Sequence, residues 1–396
     1  MTSAWIVSGS RTPIGRYLGE LAHHSAPRLA GFTIESVLQK TQVVCPEFSG
    51  SQVDEVIFGQ VLSSAVGQAP ARQASLLGGI PSSTGCVSVN KVCGSGLFAA
   101  MLADRAIRAG DHQIVLAGGM ESMSQAPHLL RGGRAGWKYG AQPLLDAVEW
   151  DGLTCPHGQV PMGNYAERIA LQNSVSRQDQ DTWALQSHQR AIATTEAGAF
   201  TPEIVQVPGL KGEVVSVDGS PRADSTLERL AKLKPAFDAA GSVTAGNASS
   251  LSDGAAAVLL TSEQVVRQWK PKLAFRVVGS SVHAAAPNDL FIAPVGAISR
   301  LLEKTGHRLS DIDLFEINEA FASQTVACMR ALQIQPERLN VHGGAIALGH
   351  PIGCSGARVL VTLMHALARQ HKTLGIASLC LGGGEAVAMM IEAQSF

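Results

Sequence analysis

Aromatic side chains are scarce, at 5% of 396 residues, and so is charge, at 16%. With few aromatics, a core must be built mainly from Ala, Val, Leu and Ile, whose small size lets helices and sheets pack closely and favours a layered α/β architecture. The formal net charge is −1 and the pI is near 6.9. That balance excludes a global field recruiting nucleic acid or an anionic membrane, so an anionic ligand has to be met by local groups. No apolar run reaches the ~18 residues of a membrane span. The opening run Met1–Gly9 has no basic leader before a long apolar stretch; it reads as a first strand, with no signal or transit peptide. The closing Ala393-Gln394-Ser395-Phe396 carries no evident address signal. Seven cysteines, an odd number scattered over a long chain, exclude a disulfide framework. Thiols with chemical work to do must stay reduced, so a soluble, cytoplasmic chain is expected.

What the chain has in quantity is apolar surface and glycine: 45% hydrophobic residues and 41 glycines. Together they argue for a large buried core with many tight turns and against disorder. The length allows two or three domains at ~100–200 residues each.

Two distant stretches follow one plan. The first runs from a strand-like Asp54–Gly59 to Val87-Ser88-Val89-Asn90-Lys91-Val92-Cys93-Gly94-Ser95-Gly96. A helical pattern with apolar Leu97, Phe98, Met101, Leu102 and Ile107 then stops at Gly110. The strand Gln113–Ala117 follows, closed by what reads as a glycine turn ending in an acid, Gly118-Gly119-Met120-Glu121. The second opens with Asp311–Glu316, starts a helix at Gly353-Cys354-Ser355-Gly356-Ala357, continues through Val359, Leu360, Leu363 and Met364, and reaches the strand Gly375–Leu379. It closes with Gly382-Gly383-Gly384-Glu385. Any two βα units recruit Gly and Ser at their turns, but matches at five successive features in the same order favour duplication. A duplicated α/β domain brings its two equivalent helix starts toward a pseudo-twofold axis, with chemistry between the halves. From about residue 123 to 248 the character changes to glycine-rich and proline-containing segments and a polar helix around Arg177–Trp183. This region reads as an inserted lobe over the active site.

Three motifs carry candidate chemistry. Cys93 stands between a strand and a helix start, where the helix dipole and unpaired N–H groups favour a thiolate; the same position suits a small buried core thiol. His350, in the glycine-rich run Gly343–Gly353, has the side chain suited to taking a proton near neutral pH, or it fixes a turn by bonding a carbonyl. Cys380 ends a buried strand just before Gly382-Gly383-Gly384, whose N–H groups can form an anion-holding nest. Asn318, after the second-half strand, can hold a water or a carbonyl oxygen, or cap a helix.

Taken in order, the motifs resemble the thiolase family along nearly the whole chain. The runs Asn318-Glu319-Ala320-Phe321-Ala322 and Gly349-His350-Pro351-Ile352-Gly353 with Ser355-Gly356-Ala357 are highly specific. Arg11-Thr12-Pro13-Ile14-Gly15, Gly118–Ser124, Met162-Gly163 with Ala166-Glu167, Thr244–Ser249 and Asp253-Gly254-Ala255-Ala256 also fit. The resemblance implies an α/β fold of duplicated αβαβα layered domains with an inserted loop domain. One half would span 1–122 plus 249–272, the loop domain 123–248, and the other half 273–396.

It also implies an acyltransferase that condenses or cleaves acyl-CoA thioesters, with coenzyme A as substrate and no metal or prosthetic group. Cys93 would carry the acyl group, His350 would activate it, and Cys380 would move the α-proton. His350 and a water on Asn318 would hold the enolate oxygen; the N–H groups of Cys93 and Gly382 would hold the tetrahedral oxygen. Ser249 would bond the pantetheine arm, and Arg222 the adenine or a phosphate, unless it is simply a solvated arginine. The partners implied are acyl-CoA molecules and further copies of the chain in a homodimer or homotetramer, with neither nucleic acid nor membrane.

The chain departs from the commoner family pattern at Pro161, at Phe291-Ile292-Ala293-Pro294, at Cys354 and at Glu385-Ala386, which leaves acyl chain length open between acetoacetyl-CoA and longer 3-ketoacyl-CoA substrates. A decarboxylating β-ketoacyl synthase shares this fold but would carry a second histidine where Cys380 stands. A silent CoA- or lipid-binding scaffold would tolerate loss of a reactive group, whereas Cys93, Asn318, His350 and Cys380 are all present.

Overall fold

A computed structural model describes residues 3–210 and 212–396. Met1 and Thr2, the start of the run read as a first strand, lie outside the described residues; the strand itself, β1, is Ala4–Arg11. The first half contributes helix α1 (Ala26–Val44), strand β2 (Glu55–Gly59), helix α2 (Pro70–Leu77), strand β3 (Gly85–Val89), helix α3 (Ser95–Ala109) and strand β4 (Ile114–Ser122). The chain then passes through α4 (Met162–Gln172) and α5 (Arg177–Glu196) before returning as β5 (Ser252–Ser262). The second half contains β6 (Ala274–Ala284), α6 (Ala293–Thr305), β7 (Leu314–Ile317), α7 (Ala322–Leu332), α8 (Ile352–Gln370), β8 (Leu374–Leu381) and β9 (Glu385–Gln394).

The strands align in the order β7-β8-β9-β6-β1-β5-β4-β2-β3 within one ten-stranded sheet, the short pair Gly15–Arg16 adding to β5. The outer pairs β7–β8, β4–β2 and β2–β3 are parallel, and the rest are antiparallel. Within the sheet, the two halves join where Trp5 and Ile6 of β1 stand opposite Arg276 and Phe275 of β6.

Successive strand residues face opposite sides, and here both sides are apolar. Ala256, Val258 and Leu260 of β5, with Leu379 and Leu381 of β8 and Val387 and Met389 of β9, face one core that also holds the buried residues of α3 and α8. Their neighbours in the first half, Ala255, Ala257 and Leu259, pack under α1. Those in the second half, Ile376, Cys380, Ala386 and Ala388, pack against residues of α6 and α7. This gives five layers, helix–sheet–helix–sheet–helix, and explains why these strands read as near-continuous apolar runs.

Glycine lets the central layer close. A Cβ on Gly96 would meet Ala357 N at 2.6 Å, and one on Gly356 would meet Leu97 N at 2.3 Å, so the two helix starts touch reciprocally, backbone to backbone. One feature of the sequence repeat is corrected. Gly118-Gly119-Met120-Glu121 form no turn; all four lie within β4. They are small because a Cβ on Gly118 would lie 2.4 Å from Ala256 O, and one on Gly119 2.2 Å from Gly353 O. Their counterparts do turn: Gly383 and Gly384 have φ of 92° and 99°, a region glycine enters without penalty.

The polar helix read around Arg177–Trp183 is α5, capped by Ser176, whose side chain accepts from Asp179 N. This region is tied to β1 by buried ion pairs, Arg11 to Glu203 at 2.6 Å and to Asp218 at 2.7 Å. Among the described residues no helix is long and apolar enough to cross a membrane.

Candidate active site

The loop carrying Cys93 is held in an uncommon shape. Val92 has φ 47°, costly for a β-branched residue. Asn90 Oδ1 accepts from Val92 N at 3.0 Å, and Ser95 Oγ accepts from Lys91 N at 2.8 Å while donating to Val92 O at 2.6 Å. Strain of this kind persists only where neighbours over-determine it. Cys93 stands two residues ahead of the first residue of α3, with Gly94 as N-cap. The N–H groups of Gly382 and of Cys93 itself face its sulfur.

Cys93, His350, Cys380 and Gly382 line one cavity of about 620 Å³, together with Ser249 and Arg222. Cys93 comes from the first half and His350, Cys380 and Gly382 from the second, so the cavity is lined from both halves. Asn318 is not on the wall. It is fully buried behind His350, its Nδ2 lying 3.5 Å from Nδ1 and 3.4 Å from Nε2 of the imidazole. The cavity has two apolar walls. Beside Cys93 stand Met123, Val148, Leu153 and Ile352. Beside Cys380 stand Leu290, Phe291 and Phe321, the two phenyl rings edge-to-face with centroids 5.3 Å apart. Of the departures from the family pattern, Pro161 and Phe291 line the cavity, Cys354 is fully buried, and Glu385 pairs with Lys91 at 2.5 Å.

The hydrogen bonds of His350 define its tautomer. Ser355 Oγ is 2.6 Å from Nδ1 and 2.9 Å from Pro351 O. A hydroxyl has one proton, so both contacts are satisfied only when Ser355 donates to Pro351 O and accepts from Nδ1–H. Nε2 is then the free basic nitrogen.

Electrostatics correct two sequence expectations. Burial pushes the Cys93 thiol up to about 11, against the facing N–H groups of Gly382 and Cys93; the helix start does not make a resting thiolate. Burial, and then the charge of Arg358, push His350 down to about 3, far from the near-neutral value expected of it. Cys380 is raised well above the ordinary thiol value by burial, then by the proximity of Cys93 and Cys328. Burial of both groups therefore disfavours a resting thiolate at Cys93 and a resting imidazolium at His350.

The two candidate binding residues stand apart from this centre. Ser249 Oγ gives its proton to Ala320 O at 2.9 Å, leaving lone pairs that can accept from a ligand N–H. Arg222 is exposed on the cavity rim, and its guanidinium has no ion-pair partner among the described residues. Its backbone N–H donates to His188 Nδ1 at 3.2 Å.

Sequence reading passed over the supports of the site. Glu121, read only as the acid after a turn, accepts from the N–H groups of Val61, Leu62 and Gly353 at 3.1, 3.2 and 2.9 Å. It thereby joins the loop after β2 to the start of α8, and burial pushes it up to about 7. Arg358 and Glu316 form a fully buried pair at 2.7 Å behind Asn318. The available signal was a lone arginine inside the apolar run Ala357–Leu360, since such charges are almost never fully buried unless paired. Among the described residues no group of three or more His, Cys, Asp or Glu is arranged to hold a metal.

Residues 4–264 match the family model described as thiolase, N-terminal domain, and residues 271–393 the one described as thiolase, C-terminal domain. The chain is 46% identical over 395 residues to an acetyl-CoA acetyltransferase of Pseudomonas aeruginosa, and 45% identical over 395 residues to a "probable acetyl-CoA acetyltransferase" of Escherichia coli, with 99% of each chain covered in both cases. The crystal structure of the Bacillus anthracis acetyl-CoA acetyltransferase superposes with a TM-score of 0.95 at 40% identity, covering 100% of this chain and 99% of that one.

Proposed function

The chain belongs to the thiolase family and is an acyltransferase of that type, and from that premise we propose that it transfers acyl groups between CoA thioesters through an acyl-enzyme on Cys93. The observation that carries this reading is the single cavity lined by Cys93 from one half and by His350, Cys380 and Gly382 from the other.

His350 Nε2 takes the Cys93 proton as sulfur attacks the thioester carbonyl, a nucleophile–base pairing that removes the need for a resting thiolate. The N–H groups of Cys93 and Gly382, which face the sulfur, would donate to the tetrahedral oxygen that forms on the carbon bonded to it. The C–S bond to CoA breaks and Cys380 protonates the leaving sulfur. Cys380 is then a thiolate. It takes an α-proton from a second acetyl-CoA, whose enolate oxygen is held by His350 and a water on Asn318. The α-carbon attacks the acyl carbon, the bond to Cys93 Sγ breaks, and Cys93 recovers its proton from His350. Thiolysis is the same sequence in reverse.

Two acetyl-CoA giving acetoacetyl-CoA and CoA is the favoured reaction, by likeness to the acetyl-CoA acetyltransferases. A medium- or long-chain 3-ketoacyl-CoA thiolase is the second reading, favoured by the apolar Phe291–Phe321 wall. Ser249 would accept from a pantetheine amide, and Arg222 would meet the adenine or a phosphate. The half-domains are read as 1–122 plus 249–272 and 273–396, with 123–248 as the lobe over the cavity. A homodimer or homotetramer belongs to the same reading, supported by the exposed edge strand β3 and the exposed Leu76 and Leu77 of α2. So do a cytoplasmic setting and a role in fatty-acid metabolism, because seven free thiols call for a reducing compartment.

The test follows the enolate absorbance of acetoacetyl-CoA with magnesium present and free CoA added. CoA-dependent loss, blocked by alkylating Cys93, is expected. Cys380→Ser should still be acetylated on Cys93 yet fail to condense or cleave, and Cys93→Ser should not be acetylated at all. Acetyl label retained on the Cys93→Ser chain at wild-type stoichiometry would remove the nucleophile assignment. If acetoacetyl-CoA is not consumed, a panel of longer substrates separates the second reading from a silent scaffold.

A further inference from the structure

Behind His350 and Asn318 lies a buried ion pair that takes no direct part in the steps above. Arg358, on α8 and 1% exposed, donates through one terminal nitrogen to Glu316 Oε1 at 2.7 Å and through the other to Asn318 Oδ1 at 3.5 Å. Asn318 Nδ2 sits nearly equidistant from both imidazole nitrogens, at 3.5 and 3.4 Å. Nδ1 carries the proton given to Ser355, so Nε2 is the acceptor open to Nδ2; that contact is long, as is the one from Arg358 to Oδ1, and no closer acceptor faces Nδ2 among the described residues. A fully buried amide donor held by so long a bond beside the proposed base can turn to an oxygen that arrives.

An asparagine amide has one accepting and one donating end, and nothing in its shape decides which end faces the cavity side. A guanidinium has five donors and no acceptor. Placed against Asn318, it tolerates only the amide oxygen.

We infer that Arg358 is a positioning residue: with Glu316 anchoring it, it fixes the polarity of the Asn318 amide so that a donor faces the reacting oxygen. Were the amide reversed, its carbonyl would face a developing enolate oxygen, and a stabilising group would become a repulsive one. This rests on the reading of Cys93, His350 and Cys380 as thiolase machinery. It adds that an ion pair remote from substrate sets the sign of the enolate site while leaving the tetrahedral-oxygen site of Cys93 and Gly382 untouched. The two half-reactions should therefore respond differently.

The experiment compares wild type with Arg358→Gln/Glu316→Gln, a neutral pair able to present either an oxygen or an amide to Asn318. Two steps are read separately: acetylation of Cys93 by labelled acetyl-CoA, and exchange of acetyl-CoA α-protons into deuterated water alongside net condensation. The expected result is a folded protein that acetylates Cys93 within about three-fold of wild type while exchange and condensation fall about 100-fold, the scale of losing one oxyanion donor. Arg358→Lys, which keeps a donor-only cation, should recover about ten-fold of that loss. Equal loss of both steps in a folded variant, or condensation within about three-fold of wild type, overturns the inference. If the double variant does not fold, Asn318→Asp decides, because it puts an oxygen on the reacting side with Arg358 still paired. Condensation retained there overturns the polarity argument; selective loss of condensation upholds it. A wild-type protein that never acetylates Cys93 is a separate outcome, which sinks the thiolase mechanism itself.

Discussion

The glycine run of the first half and that of the second occupy the same place in the repeat and serve opposite ends. Gly118 and Gly119 keep β4 straight and thin so that Phe58, the neighbouring strand and the start of α8 can press against it. Gly382-Gly383-Gly384 end β8, reverse the chain into β9 through two left-handed residues, and bring the Gly382 N–H to the Cys93 sulfur. One half uses the lack of a side chain for packing and the other for backbone conformation. Similar letters in a duplicated chain therefore mark equivalent places without marking equivalent causes.

The sharpest way to break this comparison is to add one methyl group on each side. Gly119→Ala should have the largest effect: its Cβ would lie 2.2 Å from a backbone oxygen and 2.9 Å from the Gly96 Cα, neither of which can swing away. A stability loss of about 3 kcal/mol or more is expected, seen as a collapsed urea midpoint or no soluble protein. Gly383→Ala meets open space, so only its φ of 92° is costly. It should lose about 1–2 kcal/mol and keep its fold, while turnover drops about 10–100-fold as the Gly382 N–H moves. Equal stability losses in the two variants would refute the distinction.

Next in size is the response of Cys93 to pH. With the thiol near 11 and the imidazole near 3, no thiolate–imidazolium pair forms at rest. Iodoacetamide inactivation should rise about ten-fold per pH unit from 6 to 9 without a plateau; a step near pH 6–7 would show an ion pair instead. The smallest effect belongs to the half-exposed bridge from Lys91, ahead of Cys93, to Glu385, after the glycine turn. Glu385→Gln should cost about 0.5 kcal/mol, vanishing in high salt, and change turnover only about two-fold.

Much of the architecture was legible because it follows from periodicity. The strand at Glu55–Gly59, the helix stopping at Gly110 and the return strand through Leu379 fall where apolar spacing and glycine put them. Cys93, His350, Cys380 and Asn318 stood out because Cys, His and Asn stand at helix starts and strand ends in specific runs, and the first three do line one cavity. Three things were not legible. The role of Gly118–Gly119 depends on Ala256 and Gly353, far along the chain. The proton affinities of Cys93 and His350 depend on burial by both halves, which outweighs the local helix start. The pairing of Arg358 with Glu316 joins α8 to β7, and spacing within one element carries no information about a partner in another.

The seam at β1 has a consequence in time. Strand β1 finds its longest partner, β5, only at residues 252–262. At about 5–20 residues per second, β1 waits roughly ten seconds to a minute for that neighbour. During that interval β2, β3 and β4 can already pair in parallel, while the backbone edge of β1 that will face β5 is unpaired. Protection of β1 by chaperones on the translating chain, and a slow phase in refolding that tracks β1–β5 docking, follow from where one strand sits in the sheet.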